Sequence, residues 1–299
     1  MLLRRRADPK CRNFQGFTPL HFGVKLGGID SIRFLVAKGA DVNAKTYTDE
    51  LTPLHVACEN QQYQSARVLI ECGADVNIIT KDNWSALHFA CKVGNFNIVK
   101  DLVGAGATVM CFNSHKDTPL HLAASAGSSA IIRYLLNNGA FTNCQNNDGE
   151  TPLMLAAIAG PQPAVNALIE SGVNLNEVNN KKQTALHLAV AHNHPKVVED
   201  LINAGAQVDT TDIYMNTPLM KAQIKNNEVI VRIIESSNRA RHQKKRMTLG
   251  ASSASPGKLQ PVVRAASKEF SSPGKQFMEL DKSNPMGQSV NYISEMDEL

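Results

Sequence analysis

Thr118-Pro119-Leu120-His121-Leu122-Ala123 is the stretch that decides the fold, because closely related versions of it recur along the chain. The other copies begin at Thr18, Thr52, Ser85, Thr151, Thr184 and Thr217. Successive copies are separated by 34 residues once and by 33 residues five times. A fixed period of this length predicts a stack of similar supersecondary units, each packed only against its neighbours.

Each unit carries the signals of two helices joined by a tight turn. In the central copy, Thr118 is suited to cap a first helix, and Pro119 to occupy its first position, where no backbone N–H is needed. Gly127 is expected to end that helix, and the apolar pattern of residues 131–136 predicts a second one. Most copies have glycine or asparagine at the position of Gly127, whereas Gln61 departs from the pattern.

A 33-residue period that carries Thr-Pro-Leu-His-x-Ala resembles the ankyrin repeat, in which a β-turn is followed by two antiparallel helices. The resemblance implies an all-α solenoid of about seven helix-turn-helix units over residues 1–238, with hairpin-like loops between the units. Residues 1–10 resemble the end of a preceding repeat. Either the N-terminal edge is irregular, or the chain is a shortened form of a longer array.

The composition changes at Arg239, where a basic run is followed by a segment rich in Ser, Pro, Gly and Lys. Few apolar side chains remain to offset the entropy of ordering, so residues 239–299 are predicted to form a disordered tail. The basic run fits a nuclear-import signal, a membrane-surface patch, an RNA contact or a solvated linker. Thr248, Ser255 and Ser272 are candidate phosphorylation sites.

The charge distribution argues against a nucleic-acid-binding array. Residues 1–238 contain 21 Lys+Arg and 21 Asp+Glu, and the remainder contains 10 and 6. Nucleic-acid binders normally present a basic face. No apolar run predicts a membrane-spanning helix, and the N-terminus lacks the apolar stretch of a signal peptide. We therefore expect no membrane partner, a cytoplasmic or nuclear location, and reduced cysteines.

Five histidines at the same motif position invite a metal-site hypothesis: His21, His55, His88, His121 and His187. Zinc ligands must converge within about 2.1 Å of one ion, whereas these histidines stand in successive repeats. The resemblance implies instead that they bond neighbouring loops. No nucleophile–base pairing, dinucleotide-binding glycine motif or P-loop occurs at motif spacing. We expect neither a cofactor nor catalytic activity.

The ankyrin resemblance implies a protein-binding groove formed by the loop tips and the exposed side of the first helices. The apolar and aromatic candidates concentrate in repeats one to four, and Trp84 is the only tryptophan. Interface hot spots are enriched in aromatic residues. We expect a partner to be anchored by Phe14, Phe17, Trp84 and Phe112 and oriented by Lys81, Asp82 and Lys92, with Tyr47, His115 and Tyr214 on the same face. The alternative for Phe17 and Trp84 is packing beside the motif proline.

The predicted function is a non-catalytic scaffold or adaptor, whose groove binds one protein and whose tail binds or localises a second. The alternative is a regulatory or targeting subunit, such as a ubiquitin-ligase substrate receptor or a transcription-factor inhibitor. Nucleic-acid binding through the basic tail is a third reading, which the salt dependence of association would reveal.

Overall fold

The computed structural model describes residues 8–252, with side chains described as far as Arg241. These residues form fourteen helices in seven consecutive pairs. The first helix of each pair, here called inner, is α1 (Pro19–Lys25), α3 (Pro53–Glu59), α5 (Ala86–Val93), α7 (Pro119–Ser125), α9 (Pro152–Ala159), α11 (Ala185–Ala191) or α13 (Pro218–Ile224). The second, or outer, helix is α2 (Ile29–Ala37), α4 (Tyr63–Glu71), α6 (Phe96–Gly104), α8 (Ser129–Asn137), α10 (Gln162–Glu170), α12 (Pro195–Asn203) or α14 (Glu228–Ser252). The predicted all-α solenoid of helix-turn-helix units is confirmed.

Every inner helix begins directly after the motif Thr or Ser, whose backbone is extended. In α7, the hydroxyl of Thr118 accepts a hydrogen bond from the backbone N–H of His121 at 3.4 Å, and Pro119 occupies the first helical position. The hydroxyl satisfies one of the N–H groups that a helix leaves free at its N-terminus, and the proline has none to satisfy. The motif therefore determines where each inner helix starts.

The inner helices are followed by a residue in the left-handed conformation. Gly127 has a φ of 72° and Asn193 a φ of 61°, as expected for residues that tolerate this turn. Gln61, which departs from the sequence pattern, adopts the same conformation with a φ of 57°. A left-handed non-glycine residue costs roughly 1–2 kcal/mol, which the packing of α3 on α4 must offset.

The core is a continuous apolar layer shared by all the repeats. The motif leucine is at most 1% exposed in repeats one to six, at Leu20, Leu54, Leu87, Leu120, Leu153 and Leu186. Each inner helix packs on its own outer helix or on the inner helices of the neighbouring repeats. Because each repeat buries its apolar surface against its neighbours, the stability of one repeat depends on the next.

A loop that we call a finger precedes each helix pair; fingers one to seven are residues 8–17, 41–51, 75–84, 108–117, 141–150, 174–183 and 207–216. The fingers consist of turns and not of paired strands. The described part of the chain contains only one isolated β-bridge, between Ile79 and Ser85. In finger four, Asn113 Oδ1 accepts hydrogen bonds from the backbone N–H groups of His115 and Asp117 at 2.9 and 2.8 Å. The equivalent residues are Asn13, Thr46, Thr80, Asn146, Asn179 and Asp212.

Helix α14 extends beyond the array boundary predicted at residue 238. Its backbone is helical from Glu228 to Ser252, and the predicted disorder of the tail stays a prediction. Arg and Lys are good helix formers, and a tertiary contact holds the start of the basic run. The guanidinium of Arg241 donates to the carbonyl oxygen of Ala206 at 2.9 Å, just beyond the end of α12.

Residues 1–7 and 253–299 lie outside the described residues. The predicted sites Ser255 and Ser272 and the rest of the predicted disordered tail fall in this part, and Thr248 lies in α14 beyond the last described side chain. Within residues 8–252, no helix combines the length and the apolar character needed to cross a bilayer.

Candidate functional site

Successive fingers are joined by one backbone hydrogen bond each. The N–H of Ser114 donates to the carbonyl oxygen of Asp82 at 3.0 Å, and the N–H of Asn147 donates to that of His115 at 2.9 Å. The same bond links Tyr47 to Gln15, Lys81 to Asp49, Asn180 to Asp148 and Ile213 to Lys181. The tips therefore form a row in fixed register, with a spacing set by helix stacking at roughly 10 Å. We call this row, together with the inner-helix residues four, seven and eight after the motif Thr or Ser, the groove face.

The five motif histidines hold the fingers in place. His121 Nδ1 accepts a hydrogen bond from the backbone N–H of Thr118 at 3.1 Å, and its Nε2 lies 3.0 Å from the carbonyl oxygen of Glu150 in the next finger. The same two contacts are made by His21, His55, His88 and His187. One nitrogen accepts and the other donates, as in a neutral imidazole, so neither is free to bind a metal ion. The predicted structural role of these histidines is confirmed.

Burial keeps the motif histidines uncharged. Burial lowers the pKa of His55 and of His88 to about 4, although the hydrogen bond that each ring makes to a backbone carbonyl opposes this change. Burial is also the main reason that the pKa values of His21, His121 and His187 are lowered. At neutral pH the imidazole rings are therefore uncharged, which is the state that these hydrogen bonds between repeats require.

One cysteine lies close to a motif histidine. Cys111 Sγ is 3.8 Å from His88 Nδ1 and 3.5 Å from the hydroxyl oxygen of Ser85. An activated thiol needs a lowered pKa and a base that can take its proton. Burial instead raises the pKa of the Cys111 thiol, and His88 Nδ1 already accepts a hydrogen bond from the backbone N–H of Ser85. The arrangement is a neutral thiol packed beside a neutral imidazole.

Four of the predicted contact residues are exposed aromatic side chains. The exposed fractions are 91% for Phe14, 64% for Tyr47, 48% for Phe112 and 72% for Tyr214. The first three lie in fingers one, two and four. Tyr214 lies in finger seven, roughly 30 Å along the row from Phe112 at about 10 Å per repeat. With Trp84 in finger three, the predicted aromatic contacts occupy fingers one to four without a gap, whereas none lies in fingers five and six between Phe112 and Tyr214.

Trp84 is half-buried against its own repeat. Its ring centroid lies 5.0 Å from that of Phe89 and 5.9 Å from that of His88, and Lys92 Nζ lies 5.0 Å from the indole centroid. Repeat three has Ala86 where most other repeats have the motif proline, so the indole packs on helix side chains. The cation–π contact with Lys92, of the order of 0.5–1 kcal/mol at an exposed site, favours this orientation of the indole.

The first two fingers form a similar cluster. Phe17 is half-buried, with its ring centroid 5.5 Å from that of His21 and 5.8 Å from that of Phe22. The guanidinium carbon of Arg12 lies 5.6 Å from the ring centroid of Tyr47 in the next finger. The Phe17 contacts lie within repeat one, and the contact between Arg12 and Tyr47 connects the side chains of adjacent repeats.

Three predicted polar contacts lie at the tips of fingers three and four. The backbones of Lys81, Asp82 and His115 carry the register bonds between fingers, and their side chains are exposed. The polar residues are therefore fixed at the backbone and present their side chains at the edge of the groove face.

The sequence interpretation missed Phe22 and Phe89 on the same face. Phe22 is 48% exposed and Phe89 is half-buried, and each is the fourth residue after its motif Thr or Ser. The fourth position shares a helix face with the seventh and eighth because residues three and four apart are neighbours on a helix. Helical periodicity was therefore the signal that identifies these two residues.

His192 and His194 lie side by side at the end of α11, with ring centroids 6.5 Å apart. His194 Nε2 lies 2.9 Å from the carbonyl oxygen of Ile158, so this ring bonds repeat six to repeat five. The close approach requires a glycine, because a Cβ at Gly160 would lie 2.4 Å from the His194 ring. His194 is therefore part of the packing between repeats.

Two models of one repeat family match this chain. The model described as ankyrin repeats in three copies matches residues 54–146, 87–178, 120–212 and 163–246, and the model with many copies matches residues 20–70. The chain belongs to the ankyrin-repeat family. This ankyrin-repeat protein has no significant match among curated protein sequences. The last match extends to residue 246, which agrees with the helical structure found beyond residue 238.

Solved ankyrin-repeat domains are similar to the array. The ankyrin repeat domain of human ASB11 is 25% identical, with a TM-score of 0.68 over 74% of this chain and 98% of that domain. The ankyrin repeat domain of Bcl-3, described as a unique member of the IkappaB protein family, is 24% identical, with a TM-score of 0.61 over 74% of this chain and 99% of that domain. The likeness to Bcl-3 shows the fold alone. Ankyrin-repeat domains are generally protein-interaction scaffolds.

Proposed function

We propose that this protein is a non-catalytic adaptor that binds a partner protein on the groove face of repeats one to four. The observation that carries the proposal is a set of aromatic side chains, Phe14, Tyr47, Trp84 and Phe112, one in each of four consecutive fingers. Aromatic residues are enriched at protein interfaces and among their hot spots. The register bonds between fingers fix the spacing of these side chains, which lowers the entropy that binding must overcome.

The second part of the proposal concerns the tail, which would bind another protein or localise the adaptor in the cytoplasm or nucleus. Two residues of the basic run are already engaged within the array. Arg239 pairs with Glu235 at 3.3 Å, and Arg241 bonds the carbonyl oxygen beyond α12. The bond that Arg241 makes to the array leaves this guanidinium group less available for a nucleic-acid contact made by the whole run.

The alternative is a regulatory or targeting subunit, of the substrate-receptor or transcription-factor-inhibitor type. The fold is compatible with this reading, since the solved domains that share it include that of an IkappaB-family member, but the fold does not select between the two readings. The two readings differ in the complex that the protein forms. A transcription factor or the other subunits of a ligase in the purified complex would select the alternative.

Trp84→Ala tests the position of the binding surface. The full chain is used to isolate the partner, and the affinity of the purified partner for each variant is then measured by isothermal titration calorimetry. We expect Trp84→Ala to weaken binding by about 2 kcal/mol, or about 30-fold. Phe96→Ala is the matched control, because Phe96 is a 36% exposed aromatic residue at the start of the outer helix α6, outside the groove face.

An unchanged affinity for a folded Trp84→Ala variant would show that Trp84 is not part of the surface that binds the partner. An equal loss for Phe96→Ala would show a general effect on the array rather than a contact. Circular dichroism of both variants establishes that they are folded before the affinities are compared.

A further inference from the structure

A second feature of the groove face lies between repeats five and six. A cavity of about 410 Å³ is formed there by fingers five and six and the inner helices α9 and α11. Asp148, Glu150 and Lys181 contribute charged groups to its lining, and Ile158 and Leu188 contribute apolar surface. A cavity of this size can hold a small ligand or one long side chain.

The acidic side of the cavity has no basic residue in its own repeat. Residues 141–173 contain Asp148, Glu150 and Glu170 but neither lysine nor arginine. Glu150 is half-buried, and burial together with the neighbouring Asp148 raises the pKa of its carboxyl group, although a hydrogen bond from Asn179 and the charge of Lys181 oppose this change. In the described part of the chain, neither Asp148 nor Glu150 takes part in an ion pair within 4.0 Å. A cation placed between these two carboxyl groups would therefore be favoured.

The opposite side of the cavity supplies little positive charge. His192 lies in the lining, but burial and then the neighbouring His194 and Lys225 lower its pKa, so its ring is neutral at neutral pH. Lys181 contributes one exposed ammonium group. The lining thus combines two carboxyl groups, one ammonium group and an apolar surface.

We propose that this cavity binds an arginine side chain of the partner protein. The inference rests on the proposed function, because the arginine belongs to a protein that lies along the same groove face. An arginine has an apolar stem that packs on surfaces such as Ile158 and Leu188, and its planar fork can donate to both Asp148 and Glu150. A lysine offers only a compact point charge, which matches two separate carboxyl groups less well.

The test uses the full chain and the peptide Ac-Ala-Ala-Arg-Ala-Ala-NH2, followed by backbone amide chemical shifts. The control peptide has citrulline in place of arginine, which keeps the shape and removes the charge. We expect saturable shifts at residues 148–150 and 179–183, and an affinity for the arginine peptide about tenfold higher than for the citrulline peptide. Glu150→Gln and Asp148→Asn should each weaken binding of the arginine peptide, whereas Phe96→Ala, outside the groove face, should not.

Three results would overturn the inference: equal affinities for the two peptides, shifts confined to other acidic residues such as Asp49 and Glu59, or no binding to the full chain. If the two variants unfold, the salt dependence of binding to the unaltered chain decides, since an arginine–carboxylate contact weakens as salt screens it. The proposed function is tested separately, because its test is the affinity of the purified partner for Trp84→Ala and not the binding of the peptide.

Discussion

Mild acid is expected to destabilise the array through its buried histidines, and His88 allows this effect to be measured. The unfolded chain binds a proton at His88 with the ordinary pKa of 6.5, whereas burial lowers the pKa in the folded protein to about 4. Between these two values the unfolded state binds more protons than the folded state. The free energy of unfolding must therefore fall as the pH is lowered from 6.5 towards 4. The contribution of His88 to this free energy is retained above pH 6.5.

The magnitude follows from the difference between the two pKa values. One pKa unit corresponds to about 1.4 kcal/mol, so His88 should contribute a loss of about 2 kcal/mol between about pH 7 and pH 5. His55, whose pKa is also lowered to about 4, should contribute a similar amount. Carboxyl groups in model peptides have pKa values near 4 and titrate mainly below this range, so we expect the histidines to dominate the change.

The assay is urea denaturation at about pH 7, 6 and 5, compared for the unaltered chain and His88→Met. Methionine is chosen because Met154 occupies the same motif position in repeat five and is 1% exposed there. Trp84 is the only tryptophan and lies 5.9 Å from His88, so its fluorescence reports on repeat three, while circular dichroism reports on the whole array. His115→Met, at an exposed finger position, is the matched control.

His88→Met should be less stable than the unaltered chain at pH 7, but it should lose about 2 kcal/mol less on acidification to pH 5. His115→Met should follow the unaltered chain. Equal losses for His88→Met and the unaltered chain would refute the reasoning, because His88 would then bind its proton equally in the folded and unfolded states.

Two further substitutions test the contacts that hold the repeats together, each measured as the free energy of unfolding in urea. Gly160→Ala should cost about 3 kcal/mol, because Gly160 has a φ of 93° and a Cβ would lie 2.4 Å from the ring of His194. Lys221→Met should cost on the order of 3 kcal/mol, because it leaves the fully buried carboxylate of Asp212 without the ammonium group now 2.9 Å away.

Matched variants separate these causes from general effects. Gly172 has a φ of 78° with open space around its Cβ position, so Gly172→Ala should show only the backbone cost of roughly 1–2 kcal/mol. Lys196 is exposed, and Lys196→Met should change stability little. Equal costs for the two glycines would contradict the clash with His194, and equal costs for the two lysines would contradict the buried ion pair.

The helices were predictable from the sequence because their signals are local. Thr118 and Pro119 determine a helix start through a hydroxyl and a missing N–H, whatever the rest of the chain does. The finger turns were less predictable from residue type. Lys116 and Met215 adopt φ values near 60° at the position that Gly149 fills in finger five. The bond between adjacent fingers, which is a tertiary contact, favours this conformation over intrinsic preference.

The end of the array is harder to predict from the sequence than its interior, because composition does not report tertiary contacts. The residues after Arg239 are polar and basic, which is typical of disorder. The bond from Arg241 to the carbonyl oxygen of Ala206 depends on the position of α12, which no local pattern reports. The candidate site was only partly predictable for a related reason. Composition identified Phe14 and Trp84, but their different degrees of burial follow from packing.

That difference in burial bears on which aromatic residue contributes most to binding. Phe14 is 91% exposed, so a partner can bury more of its surface, but binding must also restrict its free rotation. Trp84 has less surface left to bury, yet Phe89 and Lys92 already hold its indole in one orientation. The cost of immobilising a side chain, about 0.5–1.5 kcal/mol, is comparable with the gain from burying about 40 Å² of apolar surface. We therefore expect Trp84 to be the better anchor of the proposed partner, because the contacts that stabilise repeat three already bury part of its indole.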